Sequence, residues 1–228
     1  NNCLKTPMNL AIFDLDHTLI ASDSDNEWPK YLMQKGIVDA EFVSKKNDYF
    51  YQQYLRGQLN VDEFLEFQLE PLTHFNMDEL AHMHQEFMRD FILPTITDTA
   101  RGLVTQHQQA GDDVLLISAT NEFIITPIAH EFGITEVIGV SLVVGEDGRY
   151  TGEYTGVPSY QGGKITRLEQ WLTARGKTRA DYEKIYFYSD SRNDLPLLKD
   201  VSHPVAVNPD EMLLAHATEH GWPVVHTH

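Results

Sequence analysis

Two aspartates one residue apart, Asp14 and Asp16, close an apolar run that reads Leu10-Ala11-Ile12-Phe13-Asp14-Leu15-Asp16-His17-Thr18. The run has the length and branching of a buried strand, so it delivers both carboxylates to the carboxyl edge of a sheet. Open α/β sheets bind ligands at that edge. Like charges this close repel, and a fold keeps them only with a cation or a shared proton nearby. The pair therefore reads as a site, half of a magnesium-dependent one.

Three further segments, Asp113–Ser118, Lys184–Ser189 and Pro204–Asn208, join Met8–Asp14 as short buried strands. Ile165, Leu168 and Leu172 share one face of a helix from Lys164 to Arg175, which Gly176 stops. Residues near 98–110 fit a crossover helix that Gly111 ends. Alternating strand and helix gives an α/β fold with a doubly wound, Rossmann-like parallel sheet. Val137–Val144 and Arg149–Tyr154 flank the turn signal Glu146-Asp147-Gly148 and suggest a β-hairpin.

The stretch 22–93 breaks the rhythm. It holds no convincing strand, and Phe42, Tyr49, Tyr54, Phe64, Phe67, Leu69 and Leu80 recur at helical spacings. It reads as a helical cap inserted after the first strand, with Pro94 marking the return to a core of residues 8–21 and 94–228. The plain alternative is a set of further helices packed on the sheet.

The chain has 228 residues, enough to bury a full core. Its formal charge of −17 disfavours nucleic acid and anionic lipid as partners. One cysteine, Cys3, permits neither an internal disulfide nor a thiolate metal cluster. No apolar stretch reaches the length of a membrane span, and the expected location is the cytoplasm. Residues 1–7 read as a disordered lead. Oligomeric state is open.

A second acidic pair comes late, in Ser189-Asp190-Ser191-Arg192-Asn193-Asp194. Asp194 precedes Leu195-Pro196 and could simply cap a helix. Asp190 ends a central strand, where a carboxylate has no local backbone role. Carboxylates converging on one sheet edge from distant strands need a hard divalent cation, and Mg²⁺ takes few carboxylates plus waters and phosphate oxygens. Phosphate also needs donors. Ser118-Ala119-Thr120-Asn121 supplies a hydroxyl and successive backbone N–H groups after a strand, although ordinary turn and capping chemistry would also explain it. Lys164 opens a helix after Gly162-Gly163, where the helix dipole disfavours a cation unless an anion is close.

In order, Asp14-x-Asp16-x-Thr18, Ser118, Lys164 and Asp190-x3-Asp194 resemble the four motifs of the haloacid dehalogenase superfamily. More narrowly, the chain resembles the branch that includes phosphoserine phosphatases. The likeness runs from Met8 to about Asn208. It implies a phosphatase acting on a small phosphate ester, with Asp14 as the nucleophile that becomes an aspartyl-phosphate. Asp16 would be general acid and base, its carbonyl on Mg²⁺. Ser118 and Lys164 would hold phosphoryl oxygens, and Thr18 would fix the nucleophile loop. Asp190 would ligate Mg²⁺, and Asp194 would orient metal-bound water or Lys164.

The cap should choose the ester. The resemblance places an acidic residue at Asp23 and a carboxylate-binding Arg where Glu66 stands, in Gly57-Gln58-Leu59-Asn60-Val61-Asp62-Glu63-Phe64-Leu65-Glu66. With Asp23, Asp25 and Glu27 close in sequence, the cap mouth reads as acidic. It therefore suits an amino-alcohol phosphate such as histidinol phosphate, with phosphoserine possible if Arg56 or Arg89 supplies a charge. Trp28, beside Glu27, is the aromatic expected to touch substrate, whereas Tyr31, Tyr49 and Tyr51 read as cap core. His82, His84, His226 and His228 read as surface histidines. Rival readings include a phosphotransferase, a phosphorylated receiver module, a catalytically inactive binding protein and a dinucleotide enzyme. The last would need glycines where Asp-Leu-Asp stands.

Overall fold

The computed structural model describes residues 7–228. Cys3 and all of the expected lead except Pro7 lie outside the described residues. Five parallel strands form the centre: β1 (Asn9–Phe13), β2 (Asp113–Asn121), β3 (Glu136–Val144), β5 (Lys184–Ser189) and β6 (His203–Val207). β4 (Tyr150–Thr155) adds antiparallel to β3, and β7 (Val224–Val225) adds parallel to β6. The order is β4-β3-β2-β1-β5-β6-β7, a mixed seven-stranded α/β sheet. The hairpin read from Glu146-Asp147-Gly148 is the β3–β4 pair. Strand β2 runs three residues past Ser118, with a register shift between Ile117 and Asn121.

Alternation along β1 splits the core between the two faces. Leu10 and Ile12 pack with Leu168 and Leu172 of α7 (Gly163–Ala174) and with Leu213 and Ala217 of α9 (Glu211–His220). Ala11 and Phe13 face the other way. There they share a cluster with Ala100 and Val104 of α5 (Asp98–Gln109), and with Ile124, Ile125 and Ile128 of α6 (Glu122–Glu131). Every one of these side chains is nearly or wholly buried, as a doubly wound sheet requires.

Between β1 and α5 the chain forms α1 (Ser24–Gln34), α2 (Ala40–Leu55), α3 (Val61–Leu69) and α4 (Met77–Phe87), with no strand among them. Each begins on an Asp or Asn whose side chain accepts the third helical N–H: Asp23, Asp39, Asn60 and Asn76. Such a cap contributes about 1 kcal/mol. α1 and α4 meet α6 through an aromatic cluster in which Trp28 packs on Tyr31, Phe87 and Phe123. His84 is buried there, its Nε2 2.7 Å from the Ile124 carbonyl oxygen, so it is not a surface histidine. Among the described residues no helix is long and apolar enough to cross a membrane.

Candidate active site

Register explains why distant carboxylates meet. Phe13 pairs with Leu116 on one side and Tyr188 on the other, so the residues just past each position share one sheet edge. Asp14 continues the ladder by donating its N–H to the Tyr188 carbonyl oxygen at 2.9 Å. Asp14 is 4% exposed. Thr18 Oγ1 lies 3.3 Å from Asp14 Oδ2 and 3.2 Å from Asp190 Oδ1, so one hydroxyl spans carboxylates 176 positions apart.

Lys164 reaches the cluster from the first turn of α7. Its Nζ donates to Asp14 Oδ1 at 3.1 Å and to the Ile117 carbonyl oxygen at 3.2 Å, and it pairs with Asp194 Oδ1 at 2.8 Å. Burial alone would lower its pKa, but Asp14 and Asp194 outweigh it and raise it, so the ammonium stays charged. Gly163 permits this approach: a Cβ there would sit 2.0 Å from the Pro158 carbonyl oxygen. Asp194 also accepts from Ser189 Oγ at 2.6 Å and makes no side-chain capping bond, so the capping explanation for it falls away.

Asp16 sits apart from Lys164. It accepts from the Ser24 N–H at 2.7 Å and from Thr120 Oγ1 at 3.1 Å. Burial, then the charges of Asp23 and Asp14, push its pKa up to about 8. A carboxyl that holds a proton near neutrality is suited to acid–base work. Burial and the nearby Asp14 also raise the pKa of Asp190 well above the usual carboxylate range, and no Lys, Arg or His among the described residues pairs with it. Among the described residues no three His, Cys, Asp or Glu side chains close around one point. The all-oxygen pair Asp14 and Asp190 still fits Mg²⁺, which needs only one or two carboxylates.

Above the carboxylates lies a cavity with about 630 Å³ of empty space, part of it open to solvent. Asp14, Asp16, Asp23 and Asp25 form its acidic side. Phe50, Tyr51 and Tyr54 of α2, with Phe64 and Leu65 of α3, face them. Among the described residues, no Lys or Arg lines it. Asp25 is held by Gln68 Nε2 at 3.2 Å, and burial, then Asp23 and Asp16, raise its pKa well above normal.

Several expected positions require correction. Glu66 is exposed and faces a separate groove with Phe67 and Phe75, because its turn of α3 points Phe64 and Leu65 inward and Glu66 away. Trp28 is fully buried among aromatic rings and cannot touch a ligand in the cavity. Tyr31 is core, but Tyr49 is half exposed and Tyr51 lines the cavity. Thr120 spends its hydroxyl on Asp16, and Asn121 caps α6 by accepting the Ile124 N–H at 3.2 Å. The Thr120 hydroxyl is thus not free for phosphate; Asn121 Nδ2 is buried without a partner among the described residues, but neither Thr120 nor Asn121 lines the cavity, whereas Ala119 does. Ser118 is buried beside the cluster, its Oγ accepting the Thr120 N–H at 3.1 Å. Arg89 is bound to Asp90 at the surface, and Arg56 is exposed.

The sequence reading missed Asn47 and Tyr54 as cavity residues, and Ser24 and Ser189 as carboxylate donors. The first two had a signal: Asn47, Phe50, Tyr51 and Tyr54 fall on one helical face at i, i+3, i+4 and i+7. The two serines had none.

Comparison with known proteins agrees with this geometry. The haloacid dehalogenase-like hydrolase family matches residues 11–199. A histidinol-phosphatase of Neisseria meningitidis serogroup C (strain 8013) is 58% identical over 95% of this chain and 98% of its own length. A Bordetella pertussis Tohama I protein of unknown function superposes with a TM-score of 0.91 at 42% identity, covering 96% of this chain and 99% of that one. A substrate-bound phosphoserine phosphatase shares the fold, with a TM-score of 0.68 at 17% identity, over 98% of this chain and 95% of the other.

Proposed function

This chain belongs to the haloacid dehalogenase-like hydrolase family, and from that premise we propose that it is a magnesium-dependent histidinol-phosphate phosphatase working through an aspartyl-phosphate on Asp14. The observation that carries the chemistry is the convergence of Asp14, Asp16, Lys164, Asp190 and Asp194 beneath one cavity.

An Asp14 carboxylate oxygen attacks phosphorus while the ester P–O bond breaks, and Asp16 gives its proton to the departing alkoxide. Water then attacks the phosphorus of the aspartyl-phosphate. Asp16 accepts that water's proton as the P–O bond to Asp14 breaks, which restores the Asp14 carboxylate and releases inorganic phosphate. Lys164 holds a positive charge against Asp14 throughout, so a phosphate dianion can approach a buried carboxylate. Asp194 and Ser189 fix the ammonium in place, and Thr18 fixes the rotamer of Asp14. Mg²⁺, held by Asp14, Asp190 and the Asp16 main-chain carbonyl, would neutralise phosphoryl oxygens when bound. Ser118 and the backbone N–H of Ala119 are the remaining phosphate donors.

The substrate reading rests on the cavity and on the histidinol-phosphatase relative. Asp23 and Asp25 offer carboxyl oxygens to an ammonium group, whose positive charge would lower their raised pKa values and favour the ionised forms. The opposite wall of Phe50, Tyr51, Leu59 and Phe64 offers a flat apolar face to an imidazole. Phosphoserine would bring a carboxylate into a lining to which no Lys or Arg among the described residues contributes. In this reading the helices of 22–93 act as the cap, with α2 and α3 walling the cavity and α1 and α4 tying them to the core.

Phosphate release with Mg²⁺, compared for histidinol phosphate and phosphoserine, tests the proposal. A kcat/KM at least 100-fold higher for histidinol phosphate is expected, and a preference for phosphoserine would overturn the assignment.

A further inference from the structure

The loop that carries the nucleophile turns at His17, whose φ of 56° lies in the left-handed region. Its next two carbonyl groups therefore point away from the sheet ladder and need donors from elsewhere. Both donors come from the far end of the chain. Asn208, just past β6 and itself left-handed with φ 44°, donates Nδ2 to the His17 carbonyl oxygen at 2.8 Å. Thr227 Oγ1 donates to the Thr18 carbonyl oxygen at 2.8 Å.

These two donors are joined to each other and to the core. Asn208 Nδ2 also donates to Thr227 Oγ1 at 2.8 Å, and the Thr227 N–H donates to Asn208 Oδ1 at 2.9 Å. His228 Nδ1 lies farther off, 3.2 Å from Asn208 Nδ2 and 3.4 Å from Thr227 Oγ1, so the two amide hydrogens and the hydroxyl hydrogen each keep one shorter acceptor. The Thr97 hydroxyl anchors the Thr227 carbonyl oxygen at 2.6 Å, and β7 pairs with β6 just before it. Thr227 is only 4% exposed. The frame is thus fixed to α5 and the sheet by bonds that do not involve the nucleophile loop.

We propose that Asn208 and Thr227 form a strap that positions the nucleophile loop. The inference rests on the phosphatase reading above, with Asp14 as nucleophile. Neither strap residue lines the cavity. They act through the loop backbone: holding the carbonyl groups of His17 and Thr18 sets where the Thr18 side chain points, and that hydroxyl touches both Asp14 and Asp190. Loss of either donor leaves a buried carbonyl group unpaired and lets the carboxylates drift from line of attack, which a small displacement suffices to punish.

The test is Thr227→Val, which keeps the shape and removes the hydroxyl, beside Thr227→Ser, which keeps the hydroxyl. Both are assayed with Mg²⁺ on histidinol phosphate and on p-nitrophenyl phosphate, well below the melting temperature of each variant. The expected result is a kcat about tenfold lower for the valine variant on both esters, with KM within twofold. The serine variant should restore most of the rate. A residue that only stabilised the fold would lower the melting temperature without this kcat-only loss. A valine variant with kcat within twofold of the parent, or a serine variant as slow as valine, would overturn the strap. If the parent hydrolyses p-nitrophenyl phosphate but not histidinol phosphate, the substrate assignment fails. The strap is then judged on p-nitrophenyl phosphate alone. A parent chain inert to both esters would overturn both.

Discussion

The floor and the roof of the cavity are built on opposite principles. In the floor, Asp14, Thr18, Asp190 and Asp194, on segments that leave the adjacent strands β1 and β5, and Lys164, in the first turn of α7, hold one another through contacts of 2.8–3.3 Å. In the roof, Phe50, Tyr51, Tyr54, Phe64 and Leu65 present mostly apolar surface from two helices. The polar ties across from α2 are few, among them Tyr51 to His17 at 3.4 Å and Asn193 Nδ2 to the Tyr54 carbonyl oxygen at 2.9 Å. A preorganised charged floor serves the step common to all phosphate esters, where neutralisation and positioning supply most of the rate. The roof supplies shape, which separates one ester from another.

The comparison breaks most visibly at the nucleophile. Asp14→Asn should remove at least 10⁴-fold of kcat on every ester while the protein stays folded, as phosphate release and circular dichroism would show. Residual activity within 100-fold of the parent would mean that the floor does not act through Asp14. Asp25→Asn sits at the junction and should behave differently. It is expected to raise KM for histidinol phosphate about tenfold, with a clearly smaller effect on p-nitrophenyl phosphate, which lacks a cation. Equal losses on both esters would move Asp25 from selection to chemistry.

His84 ties α4 to α6, outside both roof and floor, so its effect should appear in stability. Burial lowers its pKa from 6.5, so the folded chain resists a proton that the unfolded chain accepts. At His84 the unfolded state therefore binds more protons below about pH 6.5, so this residue's contribution to stability falls as pH drops through that value, against the opposite trend of Asp16, Asp25 and Asp190, whose raised pKa values favour the folded state on acidification. Urea unfolding of the parent and His84→Phe at pH 8 and pH 5.5 isolates that contribution: the variant should lose about 1 kcal/mol at pH 8 from the unpaired Ile124 carbonyl, and its change in stability from pH 8 to pH 5.5 should be more favourable than the parent's. The same change in both proteins would show that His84 does not contribute to the pH dependence. The smallest effect belongs to Glu66→Lys. Because Glu66 faces outside the cavity, kcat/KM for histidinol phosphate should stay within twofold, and a larger change would restore it to the binding wall.

How far each part was legible follows the same division. Asp14, Asp16, Asp190 and Lys164 could be read because each lies at a strand end or a helix start, and those positions are local facts of the chain. Once β1 and β5 are strands in one parallel sheet, their carboxyl ends must share an edge. The helices of 24–87 were legible as helices, but Trp28 and Glu66 were placed wrongly within them. Helical spacing tells which residues share a face and is silent on what that face meets.

The order of chemistry along the chain, the strand ends and the acidic character of the cavity were thus set by the sequence alone, because strand and helix periods are short-range properties. Only the tertiary structure decided that Asn47, Tyr51 and Tyr54 look onto the carboxylates and that Gln68 grips Asp25. It alone also brought Thr227 beneath Thr18. Those partners lie 43 to 209 positions apart where a bond joins them, and no local period carries that information. They meet because apolar faces bury against one another, and the polar side chains they carry are paired by where that packing leaves them.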